Sequence, residues 1–178
     1  MNKILIGGVV AVIILIGGFF AFNSYIYKEK QADTPKHYTD VTYMIEGESV
    51  KLNEEFKYFG SDLITDLNDD GRNDFVFLIT HQPGGSGTFY YAVAVLDTKN
   101  GYVGSDGYLL GDRIAPQTID ISPNPRHKNV IVVNYVDRGP EEPMTTQPSF
   151  GKSAYLKLDV PNMQWGIVEP NFAGESRS

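Results

Sequence analysis

The chain has 178 residues, no cysteine and a formal net charge of −7. Its length sets one domain, or one domain plus a tail, as the prior, and the missing thiols exclude a disulfide framework, a cysteine nucleophile and a lipidated cysteine. Beyond residue 36 there are 11 Lys and Arg against 20 Asp and Glu, a formal −9, a surface that does not draw nucleic acid or anionic lipid from a distance.

Residues 1–3 form a short leader, and 4–22 are an unbroken apolar run, ILIGGVVAVIILIGGFFAF. At the helical rise this run spans roughly 28 Å, close to the hydrocarbon thickness of a bilayer, so one N-terminal transmembrane helix is expected. Its end, FFAFNSYIY, puts bulky aromatics where a signal peptidase needs small residues. The expectation is therefore a retained anchor, with Tyr25 and Tyr27 at the aromatic-belt level. Lysines flank the run on both sides, so the positive-inside rule alone does not orient it. A three-residue leader ahead of a large domain favours a signal anchor that leaves the C-terminal domain extracytoplasmic. Residues 23–38 are polar, contain a proline and carry no sustained period; they read as a juxtamembrane tether.

From residue 39 to 169 the pattern is that of strands. Val41, Tyr43 and Ile45 alternate, Glu46-Gly47 supplies a turn, and Val50 and Leu52 return as the second arm of a hairpin. FVFLIT (75–80) and TFYYAVAVLD (88–97) are dense apolar runs rich in β-branched and aromatic residues, as buried strands are. The breaker cluster HQPGGSG between them suits a wide hairpin loop, and Asn100-Gly101 is a tight-turn pair. Further strands are expected at 117–122, 129–137, 153–159 and 164–168, and 170–178 reads as a flexible tail. The fold class that follows is all-β, a sandwich or partly closed barrel behind the transmembrane helix.

The stretch DLNDDGRND (66–74) concentrates oxygen donors around one glycine. With Asp66 as position 1, side-chain oxygens fall at Asp66, Asn68, Asp70 and Asp74, Arg72 offers its carbonyl at position 7, and Gly71 at position 6 permits the sharp turn. Position 12 is Phe77 instead of glutamate and the flanks are strand-like, which excludes an EF-hand. The same residue types also suit a metal-free turn. The loop resembles the D-x-N-x-D-G-x-x-D loops of FG-GAP and VCBS repeats, which implies a calcium ion, structural in role, held by Asp66, Asn68, Asp70 and Asp74.

Other segments carry less specific chemistry. GGSG (84–87) lacks the spacing and following helix of a nucleotide loop. Asp112-Arg113 and Asp137-Arg138 are candidate ligand-gripping pairs, or else salt bridges that anchor loops. His37, His81 and His127 show no metal-ligand spacing; His81, beside the glycine loop, is the one to watch. No catalytic set is evident. In order, VTYMIEGESVKL, DLNDDGRNDFVFLIT, GGSGTFYYAVAVLD, GYVGSDGYLLGDRIAPQTI, VNYVDRGPEEPMTTQPS and YLKLD resemble an uncharacterised bacterial envelope domain, over roughly residues 40–159. The resemblance implies an envelope location and a β fold and brings no activity with it. A binding or envelope-organising module, with an envelope component or protein as partner, is the function expected. The alternative is a hydrolase of an envelope polymer using Asp112, Asp137 and Glu141.

Overall fold

The computed structural model describes residues 40–170. The expected transmembrane helix (4–22), the tether (23–38) and the tail from 171 on lie outside the described residues. Among the described residues the chain is all-β, with no helix and with three sheets, none of them closed.

The first sheet is the hairpin of β1 (Tyr43–Ile45) and β2 (Glu48–Val50), in the register Tyr43↔Val50 and Ile45↔Glu48. Glu46 and Gly47 close it with φ of 53° and 87°, both positive as the two-residue hairpin turn requires. The second sheet runs β3 (Phe56–Thr65), β4 (Asp74–His81), β5 (Phe89–Thr98) and β6 (Gly101–Gly104), with β7 (Tyr108–Asp112) also on β5. The third has the order β11 (Gln164–Ile167), β10 (Phe150–Asp159), β9 (Val130–Asp137) and β8 (Ala115–Ile121).

Side-chain alternation explains why β4 and β5 read as apolar runs with no polar face. Val76, Leu78, Ala92, Ala94 and Leu96 point to one side, into a core shared with Ile131, Val133, Leu156 and Leu158 of the third sheet. Phe77, Ile79, Tyr91, Val93 and Val95 point to the other and are covered by Val41, Tyr43 and Ile45 of the hairpin region. Both faces of the two central strands are thus buried.

The hairpin sits close because two glycines let it. At Gly104 a Cβ would stand 2.5 Å from the Thr42 carbonyl oxygen, and at Gly107 one would stand 2.3 Å from Ile45 Cδ1. The backbone between them bonds β1 directly, with Met44 N–H donating to the Ser105 carbonyl at 3.2 Å and Gly107 N–H to the Met44 carbonyl at 2.8 Å. Ser105 interrupts the β6–β7 edge and stitches itself to β5, its Oγ accepting the Ala94 N–H at 2.8 Å.

The expected strands all form, with ends moved by up to a few residues. β3 was not expected from the sequence. Its segment, FKYFGSDLIT, carries register shifts on either side of Gly60, and bulges of this kind break the period of two by which strands are recognised.

Candidate functional site

The acidic stretch joins two antiparallel strands. Thr65 ends β3 opposite Asp74, which begins β4, so 66–73 is a hairpin connection. Its shape comes from the carboxylates. Asp66 Oδ2 accepts the Gly71 N–H at 2.8 Å, and its Oδ1 accepts those of Asn68 and Asp70, each at 3.2 Å. Asn68 Oδ1 takes the Asp70 N–H at 3.0 Å and Asp70 Oδ1 the Arg72 N–H at 2.9 Å. Gly71, at φ 82°, supplies the left-handed turn that glycine adopts without steric cost. Arg72 pairs with Asp70 and reaches the Asp97 carbonyl of β5 through Nε at 2.7 Å.

Asp74 differs from the rest of the loop. It is 0% exposed, with Oδ2 accepting the Leu67 N–H at 2.8 Å and Oδ1 the Asp97 N–H at 2.9 Å. Burial pushes its carboxyl above the usual range, beyond what those two N–H groups offset, and the charges of Asp70 and Asp66 push the same way. Asp66 is held low, chiefly by the Gly71 N–H, and Asp69 is held low by Lys128. Among the described residues no three His, Cys, Asp or Glu side chains are grouped to hold a metal. The donors do fit a hard cation in kind: they are all oxygens, and Asp70 Oδ1 and each Asp74 oxygen accept one N–H and keep a further lone pair.

The two Asp-Arg pairs meet, Arg138 reaching the carbonyls beside the other pair. Arg138 Nη1 donates to the Arg113 carbonyl at 3.0 Å, and its Nε donates to the Thr146 carbonyl. Asp112 Oδ1 accepts the Thr88 N–H at 2.8 Å and its Oδ2 pairs with Arg113 at 3.1 Å. Arg113, at φ 49°, returns a bond from its own N–H to the Thr88 carbonyl at 2.7 Å. The segments GGSGT, LGDR and DRGPEEPM, far apart in sequence, are thereby tied together. Asp137 accepts the Arg138 N–H at 2.7 Å and Lys152 Nζ at 2.9 Å. Burial pushes the Asp137 carboxyl up, but Lys152 and Arg138 outweigh it and hold the group low. Tyr135 nearby is pushed up to about 12 by burial, with Tyr108 and Asp137 adding.

His81 shares a rung with Phe56, Phe89 and Asp112 across four strands. It stacks on Phe56 with ring centres 4.1 Å apart, and Nε2 lies 2.9 Å from Glu55 Oε1. Glu55 and Phe56, and neither of the Asp-Arg pairs, are its bonding and stacking partners.

Sequence reasoning missed a third constellation, in the β8–β9 turn. His127, Ser122 and Asn124 are buried, at 8%, 8% and 2% exposure. His127 Nδ1 lies 2.9 Å from Ser122 Oγ and Nε2 lies 3.1 Å from Asn124 Nδ2. Asn124 Oδ1 accepts the Arg126 N–H at 3.0 Å, which turns the amide NH2 toward the ring. These contacts hold the β8–β9 turn. The one signal in the sequence was SPNPRH, a serine and an asparagine set between prolines just ahead of a histidine.

No family model matches the chain, and no curated protein or solved structure matches it.

Proposed function

We propose that this chain is a membrane-anchored extracytoplasmic β domain that acts as a binding or envelope-organising module, of the kind its envelope-domain resemblance implies. Residues 4–22 are its anchor, and loop 66–74 takes a structural calcium ion. The two larger sheets facing each other across one core favour the sandwich over the partly closed barrel. Asp66, Asn68, Asp70, Asp74 and the Arg72 carbonyl are the ligands, and the ion supplies positive charge to the loop. One observation carries the calcium reading: a single short loop gathers Asp66, Asn68, Asp70 and the buried Asp74, whose carboxyl is pushed up first by burial and further by the charges of Asp70 and Asp66, a repulsion that a bound cation offsets.

The hydrolase alternative draws less support. Asp112 and Asp137 spend their oxygens on backbone N–H groups, Arg113 and Lys152, where a general acid and base need a free face toward substrate. Those pairs read better as anchors for the loops that a partner would touch.

The test is the melting temperature of the full chain in detergent micelles, with calcium and with chelator. Calcium is expected to raise it, and Asp66→Ala combined with Asp70→Ala to abolish the rise. Identical melting with and without chelator removes the calcium ion from the proposal.

A further inference from the structure

Loop 66–74 brings a cation of its own. Arg72 offers its carbonyl to the proposed ion, yet its guanidinium pairs through Nη2 with Asp70 Oδ2, on one of the ligand carboxylates. The same oxygen accepts Asn68 Nδ2 at 3.1 Å, and Asp70 Oδ1 accepts the Arg72 N–H at 2.9 Å. Asp66 and Asp74 accept backbone N–H groups instead, and Lys128 pairs with Asp69, outside the ligand set. Among the described residues, Arg72 is thus the one cation bonded to a ligand carboxylate.

A second acceptor stands beside it. Arg72 Nε donates to the Asp97 carbonyl at 2.7 Å and lies 3.8 Å from Asp97 Oδ1. The Asp97 carboxylate has no other ion pair among the described residues. Asp97 is also tied to the loop through its N–H, which Asp74 Oδ1 accepts at 2.9 Å, so its place there does not depend on Arg72.

One guanidinium therefore lies between two carboxylates, of which only Asp70 is a ligand. We propose that Arg72 sets the affinity of the calcium loop, as an internal cation that exchanges Asp70 for Asp97 when the ion binds. The Nε bond to the Asp97 carbonyl is the pivot, and Nη2 leaves Asp70 for the Asp97 carboxylate. Two cations on one carboxylate repel each other, so binding must break the Arg72–Asp70 pair. That lowers the affinity toward the weak range typical of extracellular calcium modules. The exchange rests on the calcium reading above.

The test follows the Gly71 amide by NMR while calcium chloride is titrated into the full chain, held in nanodiscs of zwitterionic lipid. Arg72→Gln keeps the carbonyl and removes the charge, and is expected to tighten calcium about fivefold, the upper scale of an exposed ion pair. Arg72→Lys is expected to stay near the parent. Asp97→Asn keeps the backbone bonds and removes the receiving carboxylate. It is expected to weaken calcium in the parent and to change little when combined with Arg72→Gln. Equal weakening in both backgrounds would reflect only the lost negative charge and overturns the exchange, as does an unchanged affinity in Arg72→Gln. A parent that binds, with variants that match it, sinks the role of Arg72 and leaves the calcium site standing. No saturable shift of the Gly71 amide in any variant sinks both.

Discussion

At the scale of single residues, buried polar groups organise this domain more than its surface charges do. Asp74 shows this most directly. Its carboxylate reaches the first residues of the acidic loop and the end of β5 through the N–H groups of Leu67 and Asp97. Asp74→Ala strands both donors away from water, at about 2–4 kcal/mol by the usual cost of an unmet buried hydrogen bond. Urea denaturation is the measurement, and a midpoint within error of the parent would show that the loop finds other acceptors. The role of Asp74 was half legible. Spacing put it at position 9 of a candidate loop, but nothing in the spacing said that its two oxygens would bond backbone of the loop and of a neighbouring strand. His81 and His127 carry the same lesson. Both are ordinary in the sequence, and only the fold gives one a stacked phenylalanine and the other a buried serine and asparagine.

At the scale of elements, the β1–β2 hairpin is the clearest case of sequence leading to structure. Period-two alternation at Val41, Tyr43 and Ile45 and the Glu46-Gly47 turn suffice to draw it, and the buried-exposed-buried pattern of β1 agrees. Where it docks is decided elsewhere, by Gly104 and Gly107. Gly104→Ala puts a methyl 2.5 Å from the Thr42 carbonyl oxygen, a backbone atom that cannot turn aside. The expected loss is about 3 kcal/mol, at the upper end of overpacking costs. Hydrogen exchange should quicken at Met44 and Gly107, whose N–H groups join hairpin to sheet, and leave the β9–β10 ladder slow. Uniform quickening would mean that the hairpin and the larger sheets unfold as one unit. Strand β3 is the counter-example. Its bulges around Gly60 hide the alternation, so its presence follows from pairing with β4 and from no local signal.

At the scale of the whole molecule, stability against pH is set by carboxylates that pull in opposite directions. Asp66, Asp69 and Asp137 are held low by N–H groups and cations. Their contribution is present above the unfolded carboxylate range and is lost as pH falls through their lowered values. Asp74 and Asp106 are pushed up, chiefly by burial; their contribution is full below the unfolded range and is lost as pH rises through the raised values. Asp137→Asn isolates one term of the first kind. Its cost in urea midpoint should be full at pH 7 and shrink as pH falls through and below the ordinary carboxylate value of about 4. A cost independent of pH would mean that Lys152 does not read the charge.

The sequence alone determined that this domain is all-β and where most of its strands run, because side-chain period and turn chemistry are local properties that the chain carries with it. It also marked 66–74 as a loop dense in oxygen donors. The tertiary structure decided which faces of β4 and β5 are buried, which is both, and which glycines admit the hairpin. It brought Thr88, Asp112, Arg113 and Arg138 together through bonds between distant segments. Those outcomes depend on contacts between residues tens of positions apart, and no local pattern encodes which distant partner a side chain will meet.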